Sequence, residues 1–394
     1  MRCIFMIRAI KASSLSSKGF HFRQVSLMGS RLNHQEDGVV ENHGFSQPVI
    51  DEIGAKKTLK IAMIGLPNAG KSTLINQIME RRVCATSMKV HTTSRKTQAI
   101  DNTGDTQLVF LDTPGLVTNA ELKKHSLGET FISAPLESIQ EADMIAVVHD
   151  VSNKWTREYL NPKVLHMLKQ SGDKHSILIL NKVDLLKHKR ILLKLAESLT
   201  EGQLLTQLPF RNTQYPSEEN EDDADEEREQ DSESKRGWRK FSDIFMVSAL
   251  SGEGVGDIKE YMLMNAKQSP WKFDPAMFTD QEGKQLVDEA VREKLLDNLP
   301  QEVPYQVLVE TEFFHYTEAG LLYISVVVNC KLERHMKMLL SSGGSRISLI
   351  AKEAERSLAN CFRCPVKLKV VVKCHVKKPT PKISPISRKG LLNA

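Results

Sequence analysis

Residues Leu59–Met79 read LKIAMIGLPNAGKSTLINQIM. The first seven form an apolar run of strand length that stops at a glycine, and GKSTLINQIM, from Gly70, reads as a helix. Across the junction, Gly65-Leu66-Pro67-Asn68-Ala69-Gly70-Lys71-Ser72 fits G-x-x-x-x-G-K-[ST], in the strand-then-helix setting that this motif requires. The glycines let backbone N–H groups turn inward around phosphate oxygens, and the helix start adds further donors and its dipole. Lys71 brings a point charge to the β- and γ-phosphates and Ser72 offers a hydroxyl to Mg²⁺, with Thr73 closing the contact set.

Further apolar runs recur at Leu108–Leu111, Met144–Val148, Ile177–Leu180 and Ile244–Val247. They are continuous rather than alternating and most are separated by helix-length stretches, which predicts a mostly parallel α/β sheet buried on both faces. Three of these runs end in polar tetrapeptides or tripeptides of distinct chemistry. In Asp112-Thr113-Pro114-Gly115 the carboxylate can reach Mg²⁺ through water and the Gly115 N–H can sense a γ-phosphate. In Asn181-Lys182-Val183-Asp184 a carboxylate can accept from guanine N1–H and the 2-amino group. Adenine lacks that donor pair, so a buried Asp184 would be left unpaired against it. Ser248-Ala249-Leu250 is placed to offer a backbone N–H to the guanine oxygen. Thr92 and Thr93 lie where switch threonines complete Mg²⁺ coordination, and spacing does not choose between them. Four motifs in order, each at a strand end, indicate a GTP-binding domain of the Ras-like superclass.

The chain of 394 residues is long enough for two domains, and no stretch approaches the ~18 consecutive apolar residues of a membrane-spanning helix. Six scattered cysteines make no disulfide framework, and Cys361-x-x-Cys364 is half a zinc site at best. The net charge of +5 conceals a strong asymmetry. Glu218 to Glu233 carries eleven acids and one base, whereas from Arg356 onward there are ten Lys or Arg and no acid. A basic end favours a polyanion partner. Residues 1–35 hold six Lys or Arg, several serines and no acid, the composition of a mitochondrial transit peptide, and 36–57 read as a polar lead-in. The GTPase domain is expected over 58–267, with a largely disordered acidic insertion at about 200–243. After a linker at 268–280, residues 281–380 read α-β-β-α-α-β, a small α+β domain, and 381–394 form a basic tail.

With these pieces placed, the chain resembles the Era family of ribosome-assembly GTPases, in its mitochondrial form. GLPNAGKSTL, HTTSR at His91–Arg95, LDTPGL, NKVD and VSAL align in order, and LPQEVPY at Leu299–Tyr305 is typical of the start of that family's second domain. The resemblance covers Leu59 to about Lys378. It implies a P-loop GTPase domain followed by a type II KH domain, GTP/GDP and Mg²⁺ as cofactors, and K⁺ beside Asn68. It also places Leu116 where Ras-like enzymes carry a catalytic Gln, so slow hydrolysis would rest on Lys71, Asn68 and Gly115.

The implied partner is small-subunit mitochondrial rRNA, the 3′ region of the 12S-type molecule, bound by a monomer that assists assembly of the small subunit in the matrix. The KH loop corresponds to Ser341-Ser342-Gly343-Gly344, where Ser replaces the first glycine and the middle basic residue is absent. Lys337 and Arg346 flank it, and Lys367 and Lys369 recur on the last strand as a basic face. Two other readings stay open: an RNA chaperone or scaffold with incidental hydrolysis, and a GTPase in peripheral contact with the inner membrane, since a basic tail also attracts anionic lipid.

Overall fold

The computed structural model describes residues 56–87, 96–116, 130–202, 237–300 and 302–374. The transit-peptide expectation, Thr92 and Thr93, the acidic block and the basic tail lie outside them. The first unit runs β1 (Lys57–Ile64), α1 (Lys71–Ile78), β2 (Thr97–Thr103), β3 (Thr106–Asp112), α2 (Thr130–Glu141), β4 (Met144–Asp150) and α3 (Pro162–Gln170). It continues through β5 (His175–Asn181), α4 (Ile191–Leu199), β6 (Phe241–Val247), α5 (Val255–Met264) and β7 (Lys267–Gln268). The sheet order is β2-β3-β1-β4-β5-β6, parallel except for β2, with the short β7 antiparallel to the start of β1.

Side chains of β1 alternate between two buried layers. Ile61 and Met63 pack with Leu74 and Ile75 of α1 and Ile258 and Met262 of α5. Ala62 and Ile64 pack with Ile139 of α2, Val164 and Leu168 of α3 and Leu195 of α4. Burial on both faces is why the strands are written as unbroken apolar runs. Chain order reverses at β1, which lies between β3 and β4, so a crevice opens at the C-terminal strand ends beside the β1–α1 turn.

The second unit is α6 (Gly283–Asn298), β8 (Val307–Tyr316), β9 (Leu322–Cys330), α7 (Glu333–Leu339), α8 (Ser341–Phe362) and β10 (Val366–Cys374). Its sheet, β10-β9-β8, is mixed: β9 is parallel to β10 and antiparallel to β8. Val287 and Val291 of α6 and Ile350, Ala354 and Leu358 of α8 cover one face, against Ile324, Val326 and Val328. Among the described residues no helix is long and apolar enough to cross a membrane.

Three expectations need correction. The insertion does not extend to 243, because β6 starts at Phe241, which is buried, and Trp238 donates its backbone N–H to Leu199 O at 2.9 Å. β6 is an edge strand, and its alternating Phe-Ser-Asp start hides it from a search for continuous apolar runs. The segment 268–280 is not a free linker either. The buried Gln107 accepts from the N–H groups of Lys272 and Phe273 at 2.9 and 3.1 Å and donates to Phe273 O at 3.0 Å, while Ile100 N–H reaches Phe278 O at 2.9 Å. A buried amide must find partners, and here the connection supplies them. Finally, Ser341–Gly344, expected as a loop, belongs to α8, which starts at Ser341 with Gly343 and Gly344 at φ 67° and 86° inside its first turn. Only Leu340 separates it from α7.

The two units meet through the residues that follow α1. The Asn76 amide gathers this segment, accepting from Val83 and Cys84 N–H at 2.9 and 2.8 Å and donating to Cys84 O at 2.7 Å. Arg81 lies 3.5 Å from the Phe278 ring centroid and donates to Cys361 O. Arg82 donates from its backbone to Asn360 Oδ1 and from its guanidinium to Ser357 Oγ, both at 2.7 Å. Glu293 of α6, buried, accepts the Thr86 N–H at 3.0 Å and the Lys294 ammonium at 2.6 Å, with Arg82 3.5 Å away. Ser87 donates to Asp297 at 2.7 Å. Replacing Glu293 by Ala strands the buried Lys294 charge, so Glu293→Ala is expected to cost about 3 kcal/mol, read as a lower urea midpoint.

Candidate nucleotide-binding site

The four motifs converge at the C-terminal ends of β1, β3, β5 and β6. Gly70 caps α1 at φ 96° with no side-chain cap, so first-turn N–H groups are left to a ligand. A Cβ at Gly70 would land on the Asn181 amide nitrogen, which excludes any other residue there. Asn68 is exposed and adopts φ 59°. Gly115 is pressed against the same turn: a Cβ on it would sit 2.6 Å from Pro67 Cα. Leu116 N–H donates to Gly65 O at 3.2 Å and its side chain is buried in the core beside Ile64 and Val147, away from any position from which to orient water.

Lys71 is buried, and its Nζ donates to Gly65 O at 3.2 Å and Leu66 O at 3.1 Å. Burial pulls its pKa down to about 8, a fall that the nearby Asp112 partly opposes. Ser72 Oγ donates to Asp112 Oδ2 at 2.7 Å, and Thr113 Oγ1 donates to Met63 O at 2.8 Å, which locks the end of β3 to β1. A hydroxyl and a carboxylate meeting in this way form an oxygen-only donor pair, which suits Mg²⁺. Thr73 follows Ser72 in the first turn of α1.

On the base side, Asn181 ties three loops together. Its Nδ2 donates to Ala69 O at 2.8 Å and its Oδ1 accepts the Ala249 N–H at 3.0 Å. Ser248 N–H is likewise engaged, with Glu253 O at 3.0 Å, so within Ser248-Ala249-Leu250 the N–H free for a base among the described residues is that of Leu250. Asp184 sits exposed in a 3-10 turn (Val183–Leu185), which corrects the expectation of a buried carboxylate. Its selectivity therefore depends on a base covering it.

Lys182 adopts φ 68° and its ammonium pairs with Asp150 at 2.5 Å. Asp150 also accepts the N–H and Oγ–H of Ser152, at 2.9 and 2.6 Å. The acid closes the Met144–Val148 run two residues on and lies in register with Asn181. Sequence reasoning passed over it, although a strand-end carboxylate was the available signal.

The residues proposed for RNA fall into two groups that the fold does not bring together. Around Ser341–Gly344, Lys337 pairs with Glu333 at 2.9 Å, Arg346 donates to Met338 O at 3.1 Å, and no described atom lies within 4 Å of a Cβ built on Gly343. Lys367 and Lys369 are exposed on β10, whereas Val366 and Leu368, which alternate with them, enter the core beneath the helices. The lysines thus lie on the opposite face of that sheet.

Residues 60–182 match the model of the family described as 50S ribosome-binding GTPase. The mitochondrial GTPase Era of Danio rerio is 40% identical over 336 residues, spanning 80% of this chain and 75% of that protein. That of Salmo salar is 37% identical over 354 residues, spanning 82% and 78%. A crystal structure of Era in complex with MgGDPNP and nucleotides 1506–1542 of 16S ribosomal RNA aligns over 81% of this chain and 94% of its own, with a TM-score of 0.61 at 23% identity, and so shares its fold. Fold and site define a P-loop GTPase, an enzyme that binds GTP and hydrolyses it. The chain belongs to the Era family, with the mitochondrial Era proteins among its homologues.

Two outcomes follow from the geometry. Asp150→Asn removes the charge that holds Lys182, and stopped-flow with a fluorescent GDP analogue should read dissociation about tenfold faster. Lys71, half-deprotonated near pH 8 in the free protein, regains its proton against phosphates. Titration calorimetry of GDP at pH 8 in buffers of differing ionisation enthalpy should therefore detect proton uptake, which fades toward pH 6.5 and is absent in Lys71→Met.

Proposed function

We propose that this protein is a GTP-driven switch that binds the 3′ region of 12S-type rRNA in mitochondria and assists assembly of the small ribosomal subunit. Support comes from the mitochondrial relatives, from the Era structure bound to ribosomal RNA, and from a second unit whose α-β-β-α-α-β order suits a type II KH module. The acid-free, Arg- and Ser-bearing residues 1–35 suit an import signal. One observation carries the switch. The segment Arg81–Ser87, which leaves the P-loop helix toward Thr92 and Thr93, is hydrogen-bonded to α6 and α8 of the RNA-binding unit. A change in nucleotide state at that segment therefore strains or relieves contacts to the second unit.

In this reading Lys71 and the N–H groups of Gly65–Thr73 hold the β- and γ-phosphates, and Gly115 N–H senses the γ-phosphate. Asn181, Lys182 and Asp184 hold the guanine, with the loop Ser248–Leu250 beside it. Ser72, Asp112 and one of Thr92 and Thr93 would hold Mg²⁺, which when bound neutralises phosphate charge. Leu116 supplies no base, so turnover is slow. Asn68, exposed on the P-loop, would hold K⁺, adding positive charge there. In the second unit, Ser341, Ser342, Gly343 and Gly344 grip RNA backbone with help from Lys337 and Arg346.

Filter binding of the 3′-terminal segment of 12S rRNA to the full-length protein should be tightest with a non-hydrolysable GTP analogue, and Lys71→Ala should remove the nucleotide dependence. Equal affinity with GTP analogue, GDP and no nucleotide would leave a scaffold with incidental hydrolysis. GTP turnover should be faster in KCl than in NaCl at matched ionic strength, and Asn68→Ala should abolish that difference.

A further inference from the structure

Residues paired in register on neighbouring strands point to the same side of a sheet. On β10 and β9, Lys367 pairs with Tyr323 and Lys369 with Ser325; on β9 and β8, Tyr323 pairs with His315 and Ser325 with Phe313. Because Val366, Leu368, Leu322 and Ile324 are in the core, these residues all face away from the helices. Two rows therefore cross the outer face of the sheet, Lys367–Tyr323–His315 and Lys369–Ser325–Phe313. Tyr323 is 43% exposed and Phe313 51%, and the Phe313 and His315 rings are 5.9 Å apart. Neither lysine has an ion-pair partner among the described residues.

The far end of the same face has the opposite character. Glu310 is hydrogen-bonded to Asn329 at 3.0 Å, and Lys373 is neutralised by Glu312 at 2.8 Å. A polyanion is thereby confined to the Tyr323 end. Exposed aromatic rings beside unpaired lysines suit single-stranded nucleic acid in particular: bases stack on the rings whatever their identity, while the ammonium groups meet the phosphates. A duplex, with its bases stacked inward, gains nothing from the rings. An acidic or apolar protein would use only one half of the pattern.

We propose that the outer sheet face around Tyr323, Phe313, His315, Lys367 and Lys369 is a single-stranded RNA platform, distinct from Ser341–Gly344 and on the opposite side of the second unit. The proposal rests on the RNA-binding reading above and adds a second contact to it. RNA held by the helical turn at Gly343 can then continue around the sheet edge, so that one strand is gripped on two faces.

The test uses full-length protein and a single-stranded oligouridylate of about 12 nucleotides. Ultraviolet crosslinking with mass spectrometry should place uridine adducts on the peptides holding Tyr323 or Phe313. Fluorescence anisotropy should show about tenfold weaker binding for Tyr323→Ala, with Tyr323→Phe close to wild type. Lys367→Gln with Lys369→Gln should lower the salt slope by about 1.4. Gly344→Asp, which puts a negative charge at the helical turn, should weaken binding yet leave the Tyr323 adduct in place. Unchanged affinity in Tyr323→Ala, or adducts confined to 341–346, overturns the platform alone. A dimer that Tyr323→Ala dissociates without loss of RNA affinity overturns it in favour of a self-contact. Failure of the wild-type protein to bind any RNA overturns both this and the rRNA reading.

Discussion

The side-chain amide of Asn181, where its own loop leaves β5, joins that loop to those after β1 and β6, accepting from Ala249 and donating to Ala69 while its Nδ2 lies against Gly70. Each loop taken alone is a short polar turn with little to hold its shape. Joined through a buried amide whose donor and acceptor are both used, they become a single rigid rim at the mouth of the parallel sheet. That rim fixes where phosphates and base must lie relative to each other. The glycine at 70 is then a consequence of the amide: the space that a side chain would need is already filled by Asn181.

The same economy of space governs charge. Burial of Lys71 lowers its affinity for a proton, Asp112 beside it restores part of that affinity, and P-loop carbonyls accept from its ammonium. The pocket thus stores an unfavourable positive charge that incoming phosphates relieve, so binding energy is concentrated where the nucleotide carries its negative charge. On the base side Lys182 is treated differently, being paired with Asp150 beforehand and so held in position at little cost in freedom. Leu116 belongs to the core rather than to the site.

Connection between the units follows from where α1 ends. The chain leaving the phosphate-binding helix is bent by Asn76 and clamped against α6 and α8 before it reaches the threonine pair. Glu293 is central because it is buried with Lys294 and spends its remaining capacity on a backbone N–H of the neighbouring unit. Displacement of either unit takes the Thr86 N–H and the Arg82 guanidinium away from this carboxylate and leaves Lys294, on the same helix, as its partner, so the contact favours one relative placement. Nucleotide site and second unit are thus joined by polar contacts of fixed geometry, beside which the Phe278 and Phe362 rings meet edge to face at 6.5 Å.

What could be read from the residues alone was whatever depends on near neighbours in the chain. Glycine and lysine positions in Gly65–Ser72, the strand-ending acids and amides, and the apolar runs of β1, β3, β4 and β5 are local signals, because backbone turns and sheet burial impose them within a few residues. The α-β-β-α-α-β order of the second unit was legible for the same reason. The edge strand β6 was caught only in part, since one exposed side replaces a continuous run with alternation. What the tertiary structure decided were pairings between distant residues: Asp150 with Lys182 across 32 positions, Gln107 with Phe273 across 166 and Thr86 with Glu293 across 207. It also decided that the lysines of β10 and the glycines at 343–344 face opposite sides of one unit. No local pattern encodes these facts, because a side chain's partner and the face it shares are set by sheet register and by the packing of elements brought together only when the chain folds.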